Sequence, residues 1–192
     1  MMWHMHLGMY FPGGSGPGQD PFFEPTARLT IGALEQAGAF VVPVRYDDDI
    51  FAPFDRELFE SGIRREVRGA LAYYQPDRVT IAGKSRGTHA LHVVCSEDFG
   101  LPADTRLIWL TPIWGRSGGD CWRTACANTR PALHIVGLAD RYHVPERHEA
   151  VPGETVAIPG ADHGLRISGD LFASMDVERT WAEAVHRFAA RV

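Results

Sequence analysis

A serine between two glycines is the part of this sequence whose residue types could do chemistry. Gly83-Lys84-Ser85-Arg86-Gly87 follows an apolar run, Val79–Ala82, and precedes a predicted helix, Thr88–Cys95. G-x-S-x-G between a strand and a helix is the pattern of a nucleophile elbow, a sharp turn that lifts a serine hydroxyl clear of a sheet edge. The turn strains the serine backbone and crowds its neighbours, so glycine is favoured two residues before and two residues after it. The pattern predicts Ser85 as the nucleophile of an acyl transfer.

Gly83-Lys84-Ser85 is also the way a phosphate-binding P-loop ends, which would indicate a nucleotide site instead. A P-loop needs another glycine five residues before Gly83, and Arg78 stands at that place. The residues between them are an apolar strand rather than a glycine-rich turn. The sequence therefore argues against nucleotide binding here.

A nucleophilic serine needs a base and an acid, and candidates for both follow later strands. Asp140 comes after the apolar segment Leu133–Val136, and His163 comes after Val156–Ile158. Because the carboxyl ends of parallel strands meet at one edge of a sheet, Ser85, Asp140 and His163 are expected on neighbouring loops. In such a triad the histidine takes the serine proton and later returns it. The aspartate fixes the histidine tautomer and stabilises the imidazolium.

Three other residues near these loops have weaker signals. Trp114 follows a predicted strand and could line an acyl pocket, although a structural tryptophan is an equal alternative. His143 follows Asp140 and could line the same pocket. Asp162 adjoins His163 and is expected to point elsewhere.

Charged residues around the elbow leave two interpretations open. Lys84 and Arg86 could favour an acidic substrate, or they could pair with Asp47–Asp49, which follow another predicted strand. Those aspartates could attract a cation, but a solvated acidic turn is favoured. His4 and His6 alternate along a strand without a nearby carboxylate or cysteine, so a metal site is not predicted.

Length and composition predict one domain, residues 1–192, that is soluble and cytoplasmic. A chain of 192 residues can bury roughly 70% of its unfolded surface. The net charge of −5 argues against a nucleic-acid partner. No apolar stretch approaches the ~20 residues of a membrane span, and the start lacks the basic-then-apolar order of a signal peptide.

A disulfide between Cys121 and Cys126 is one option, but two thiols are favoured because nothing indicates secretion.

Strands and helices alternate along the chain, which predicts right-handed crossovers and a parallel sheet. The expected fold class is a three-layer, doubly wound α/β fold with about six strands. Pro43 indicates that the second strand lies at an edge. The strands are predicted at His6–Phe11, Phe40–Val44, Val79–Ala82, Leu107–Leu110, Leu133–Val136 and Val156–Ile158. The helices are predicted at Thr26–Ala37, Arg56–Tyr74, Thr88–Cys95 and Met175–Ala190.

These motifs resemble those of a small α/β-hydrolase. The elbow Ile81–Gly87, the strand that leads into Gly137–Asp140 and the late segment Gly160–Gly164 match that superfamily's pattern. The chain is most similar to the compact, lid-less branch of dienelactone-hydrolase-like and uncharacterised bacterial hydrolases. The resemblance covers nearly the whole chain and implies a minimal fold of six strands, in the order second, first, third, fourth, fifth, sixth. Thr88 is a departure, since many relatives have another glycine there.

The resemblance also implies an oxyanion hole with two backbone donors. One donor is the N–H of Arg86, directly after the nucleophile, and the other comes from the glycine-rich loop Pro12–Gly18 after the first strand. Many relatives begin this loop with His-Gly, where this chain has Pro12-Gly13. Because Pro12 has no N–H, Gly13 is the predicted donor and Gly14 comes next. The alternative is that the loop is only a flexible connector.

The function implied is that of a serine hydrolase that cleaves a small carboxylic ester or thioester through an acyl-enzyme, with no cofactor or metal. One alternative is a catalytically silent α/β-hydrolase fold that serves as a binding or scaffold module. Another is non-hydrolytic acyl transfer or lyase chemistry on the same fold. The connection Thr111–Arg130 is too short for a long helical lid, which predicts a preference for short acyl groups.

Overall fold

Parallel strands form the centre of the fold, because each strand is followed by a helix that returns the chain to the same sheet edge. The computed structural model describes residues 4–14, 20–45, 55–115 and 119–191. Within these residues the sheet has six parallel strands in the order β2-β1-β3-β4-β5-β6. The strands are β1 (His6–Phe11), β2 (Phe40–Pro43), β3 (Arg78–Lys84), β4 (Asp104–Leu110), β5 (Ala132–Gly137) and β6 (Glu154–Ile158).

Helices cover both faces of this sheet. They are α1 (Pro25–Gln36), α2 (Arg56–Tyr74), α3 (Thr88–Ser96), α4 (Gly119–Ala127), α5 (Pro145–Glu149) and α6 (Leu171–Ala190), with 3-10 turns at Pro21–Phe23 and Ser85–Gly87. Helices α1 and α6 pack together on one face. Helices α2, α3 and α4 pack on the other. The three-layer α/β class and the strand order predicted from the sequence are confirmed.

Burial follows from this layering. Along β1, Leu7 and Met9 face the layer of α2 and α3, whereas Tyr10 faces the layer of α1 and α6, and all three are fully buried. Strands covered on both faces read as continuous apolar runs, which is why β1, β3, β4 and β5 could be found in the sequence. The edge strands β2 and β6 are more exposed. The edge position expected for the second strand from its proline is confirmed.

Three helices differ from the prediction: α6 begins earlier than expected, and neither α4 nor α5 was predicted. Helix α6 begins at Leu171, a turn earlier than expected, because the Asp170 side chain accepts a hydrogen bond from the N–H of Ala173 and caps the helix. The connection after β4, for which the sequence predicted no helix, contains α4. Cys121 and Ala125 of α4 are buried in the core. Helix α4 is therefore part of the body of the fold. Among the described residues, none of the helices combines the length and hydropathy that a membrane span requires.

Candidate functional site

The structure brings Ser85, His163 and Asp140 together at the carboxyl edge of the sheet. His163 Nε2 lies 2.7 Å from Ser85 Oγ, and His163 Nδ1 lies 2.7 Å from Asp140 Oδ2. Asp140 is 7% exposed and Ser85 is 9% exposed, while about a quarter of the His163 side chain remains accessible, at 26%. The serine, the imidazole and the carboxylate thus form one hydrogen-bonded chain, in which the central imidazole is the most accessible group.

The backbone at Ser85 has the strain that an elbow requires. Its φ is +51°, in the left-handed region that costs a non-glycine residue about 1–3 kcal/mol. A Cβ at Gly83 would lie 2.5 Å from the carbonyl oxygen of Gly87, and a Cβ at Gly87 would lie 2.2 Å from that of Phe11. Both contacts are too short for any side chain. The glycines are therefore what allows the turn to pack against the end of β1.

The loops of Asp140 and His163 are joined by backbone contacts. The N–H of Ala139 donates to the carbonyl of Ala161 at 2.9 Å. A Cβ at Gly137 would lie only 2.2 Å from the same carbonyl oxygen, so glycine at the end of β5 permits this approach. Asp140 Oδ1 accepts a hydrogen bond from the N–H of Tyr142 at 2.9 Å, which leaves Oδ2 directed to the imidazole. The carboxylate is fixed from both sides.

The neighbouring acid, Asp162, is used differently. Its Oδ1 accepts from the backbone N–H of Gly164 at 2.8 Å and of Arg166 at 3.1 Å. This carboxylate caps the loop after the histidine and leaves the imidazole to Asp140. The Tyr142 ring lies 4.9 Å from the His163 ring in an edge-on arrangement. That contact limits rotation of the imidazole.

Gly13, near the start of the glycine-rich segment after β1, lies against the elbow, and residues 15–18 of that segment lie outside the described residues. A Cβ at Gly13 would lie 3.3 Å from the Cβ of Ser85, so the Gly13 backbone is in contact with the nucleophile. Gly13 is buried, and Gly14 is exposed. Arg86 follows Ser85 in the 3-10 turn that leads into α3. Gly13 and Arg86 thus both lie next to Ser85, on two different segments of the chain.

Two of the predicted pocket residues lie elsewhere. Trp114 is 1% exposed and packs against the rings of His134 and His148, with centroids 5.5 and 4.6 Å away. This supports the structural alternative for Trp114. His143 lines a cavity of about 630 Å³ beside β6, together with His148. The residues that line this cavity do not include Ser85 or His163. Burial lowers the pKa of His148 to about 4.

Lys84, beside the elbow, has a partner that the sequence did not indicate. Lys84 Nζ lies 3.2 Å from a carboxylate oxygen of Glu24. Asp47–Asp49, the partners considered from the sequence, lie outside the described residues.

His6 Nε2 lies 2.9 Å from the hydroxyl of Thr80. Within the described ranges, no group of three or more histidine, cysteine or acidic side chains is placed to hold a metal ion.

The cysteines are not an alternative source of a nucleophile. All three are free thiols, so Cys121 and Cys126 are not joined. Burial raises the pKa of Cys95 to about 11 and that of Cys121 to about 12. Because the thiolate is the reactive form, these thiols are inert near neutral pH.

Sequence reasoning missed Glu24 and Tyr142. Neither belongs to a local motif. Glu24 reaches the site from a segment that is distant in sequence, and Tyr142 reaches it by packing its ring against His163. Gly137 had a visible signal, a glycine at the end of a predicted strand, although its role in admitting the histidine loop required the structure.

Comparison with solved structures places the chain among α/β-hydrolase folds. An alpha-beta serine hydrolase homologue from Coxiella burnetii aligns with a TM-score of 0.69 at 16% identity, over 95% of this chain and 84% of that one. A serine hydrolase without a lid from Xanthomonas campestris aligns with a TM-score of 0.68 at 19% identity, over 97% and 84%. Est1E from Butyrivibrio proteoclasticus, in a structure with bound ferulic acid, aligns with a TM-score of 0.72 at 15% identity, over 96% and 88%.

No family model and no curated protein sequence matches the chain. At these identities the structural likeness establishes the fold. The resemblance to lid-less α/β-hydrolases predicted from the sequence is confirmed at that level.

Proposed function

We propose that this protein is a serine hydrolase that cleaves a small carboxylic ester or thioester through an acyl-enzyme. The observation that carries the proposal is the unbroken chain from Ser85 Oγ through His163 to Asp140 Oδ2, with both hydrogen bonds at 2.7 Å. The strained φ of +51° at Ser85 supports it, because strain of this kind is concentrated at functional sites. The names of the structural neighbours, two of which are called serine hydrolases or homologues of them, agree with it.

The proposed chemistry begins with attack of Ser85 Oγ on the substrate carbonyl carbon. His163 Nε2 takes the hydroxyl proton as the new C–O bond forms, and then gives that proton to the leaving alcohol or thiol as the acyl–leaving-group bond breaks. Water repeats the sequence with the acyl-enzyme: His163 deprotonates the water, the acid product departs, and the proton returns to Ser85. Asp140 accepts from Nδ1–H throughout and stabilises the imidazolium.

The tetrahedral intermediate places a negative charge on the former carbonyl oxygen. In the proposal this oxygen accepts hydrogen bonds from the backbone N–H groups of Gly13 and Arg86, which belong to the two loops that meet at Ser85. Donors that are already in place do not need to reorganise when the charge develops. The close contact of Gly13 with Ser85 supports this role.

Short acyl groups are the proposed substrates. The connection between β4 and β5 contains α4, whose Cys121 and Ala125 side chains are buried against the body. The indole N–H of Trp122 in the same helix donates to the carbonyl of Arg147 at 3.0 Å. A helix held in this way does not close over a long acyl chain, and each unburied methylene would forgo ~0.8 kcal/mol of binding.

A series of p-nitrophenyl esters tests the proposal. Wild-type protein should hydrolyse the acetate and butyrate with higher kcat/KM than the octanoate and palmitate, and Ser85→Ala should abolish turnover of all four. A maximum at palmitate would contradict the open site. Release of p-nitrophenol with no free acid, but with the acyl group on an added alcohol, would indicate acyl transfer. A folded wild-type protein without turnover would favour the scaffold alternative.

A further inference from the structure

Lys84 is a buried cation directly before the proposed nucleophile. The residue is 7% exposed, and its ammonium lies 3.2 Å from the carboxylate of Glu24. Burying a charge is unfavourable unless it is paired, and a buried pair is often no more stable than apolar residues of the same size. Stability alone therefore gives no strong reason for a lysine at the end of β3.

The ammonium lies beside the loop proposed to supply an oxyanion donor. A Cβ at Gly13 would be 3.8 Å from Lys84 Nζ and 3.5 Å from the Lys84 carbonyl oxygen. The same Cβ would be 3.3 Å from the Cβ of Ser85. The backbone of Gly13 is thus in contact with the nucleophile and with the lysine that precedes it.

Glu24 anchors this contact to the start of α1. It stands between the 3-10 turn Pro21–Phe23 and helix α1, in a segment whose Thr26 hydroxyl lies 3.5 Å from the carbonyl oxygen of Gly164, directly after His163. One short segment therefore contacts both the elbow, through Lys84, and the loop of the base. The carboxylate of Glu24 thus holds the ammonium beside the elbow.

We propose that Lys84 is a positioning residue for acyl transfer. Its ammonium, held by Glu24, keeps Gly13 against Ser85 and adds positive potential where the oxyanion forms. The Glu24 carboxylate offsets part of this potential, but the ammonium is the end of the pair that lies next to Gly13, so the pair favours the transition state more than the uncharged substrate. This role rests on the proposed serine hydrolase function, and it should affect kcat more than KM.

Three variants separate this role from that of a simple structural clamp. Lys84→Met keeps most of the side-chain volume and removes the charge. Lys84→Arg keeps the charge. Glu24→Gln keeps an oxygen that accepts from the ammonium. If the pair only holds the fold together, any loss of kcat should follow the loss of melting temperature in both Lys84→Met and Glu24→Gln, since both remove the ion pair.

With p-nitrophenyl acetate, Lys84→Met should lower kcat about tenfold with KM within about twofold, a smaller loss than the ~10²–10³ of a direct donor. Lys84→Arg should recover most of that loss. Glu24→Gln should cost no more than about threefold, because the ammonium remains and keeps a hydrogen-bond acceptor. Melting temperatures should be measured in parallel for every variant.

Asp104→Asn is the matched control. It removes the ion pair of Arg78 at the opposite end of β3 and should leave kcat unchanged. Wild-type kcat in Lys84→Met would overturn the proposal, as would equal losses of kcat and melting temperature in Lys84→Met and Glu24→Gln. Absence of Ser85-dependent turnover in the wild type would overturn both the proposed function and this role. Turnover that Lys84→Met leaves intact would overturn only the role of Lys84.

Discussion

Strand β3 carries a cation paired with a carboxylate at each end, and the two ends differ in what surrounds the pair. At the amino end, Arg78 donates to Asp104 at 2.5 Å and to the carbonyl of Arg191 at 2.6 Å. Arg106 donates to the same aspartate at 3.0 Å and to the carbonyl of Phe188 at 2.8 Å. These bonds join β3 and β4 to the end of α6.

At the carboxyl end, the pair of Lys84 and Glu24 adjoins strained backbone instead. Ser85 has a φ of +51°, and Thr111, at the same edge after β4, has a φ of +41°. At the amino end, charged side chains form hydrogen bonds that join neighbouring elements. At the carboxyl end, the backbone is strained and the imidazole of His163 is partly accessible. Chemistry should therefore depend on the carboxyl edge and stability on the amino edge.

Asp140→Asn should produce the largest loss among the predictions for the carboxyl edge. The amide would no longer hold Nδ1–H of His163, so the imidazole would adopt the wrong tautomer, and kcat should fall by about 10⁴. Steady-state ester hydrolysis measures this directly. Asp162→Asn is the matched control, because that carboxylate caps backbone N–H groups. A loss of less than tenfold in Asp140→Asn would mean that Asp140 is not the acid.

Gly13→Pro should have the next largest effect. Proline removes the N–H proposed to bind the oxyanion, and losing one such donor costs about 10²–10³ in kcat. Gly13→Ala keeps the N–H and adds a methyl group 3.3 Å from the Cβ of Ser85, so its effect should be much smaller. Equal activity in the two variants would show that Gly13 is not a donor and that the loop is only a connector.

Asp104→Asn, at the amino edge, should lower the stability of the fold without changing ester hydrolysis. It weakens the bonds to Arg78 and Arg106 together, and because Asp104 is partly exposed, the expected loss of unfolding free energy is about 1–2 kcal/mol. Urea denaturation measures the loss. Ester hydrolysis at a temperature where the variant is folded should match the wild type. A large fall in kcat would break the proposed division between the two edges.

The smallest predicted effect is a pH dependence of folding stability. It comes from His134 on β5, which lies between the two edges. Burial lowers its pKa to about 4 from an unfolded value of 6.5. Between these values the unfolded chain binds a proton that the folded chain does not, so stability is present above pH 6.5 and falls as the pH drops toward 4. At pH 5.5 this histidine should account for about 1 kcal/mol.

His134→Gln can keep the hydrogen bond to the carbonyl of Pro152 and should flatten that part of the pH dependence. Urea midpoints from pH 7.5 to 5 measure the change. An identical pH dependence in wild type and variant would contradict the assignment to His134. Burial also lowers the pKa of His6 and His148 to about 4, so the variant should retain a residual slope.

Much of the fold and the central site could be predicted from local patterns. Strands buried on both faces are continuous apolar runs, and two of them, β3 and β5, are followed closely by Ser85 and Asp140. His163 follows the more exposed edge strand β6. The start of α6 also has a local signal in the sequence, the helix-capping residue Asp170. Glu24 could not be predicted, because its contact with Lys84 joins residues 60 positions apart and depends on how α1 meets the sheet. The direction of Trp114 likewise depends on packing against His134 and His148.

The most direct test of the central claim is labelling with a fluorophosphonate, which phosphonylates only an activated serine. Intact-mass and peptide mass spectrometry of the wild type should show one adduct, on Ser85, and Ser85→Ala should remain unlabelled with an unchanged melting temperature. Asp140→Asn should be labelled far more slowly than the wild type. A well-folded wild-type protein that forms no adduct, or forms it on another serine, would contradict the assignment of Ser85 as an activated nucleophile.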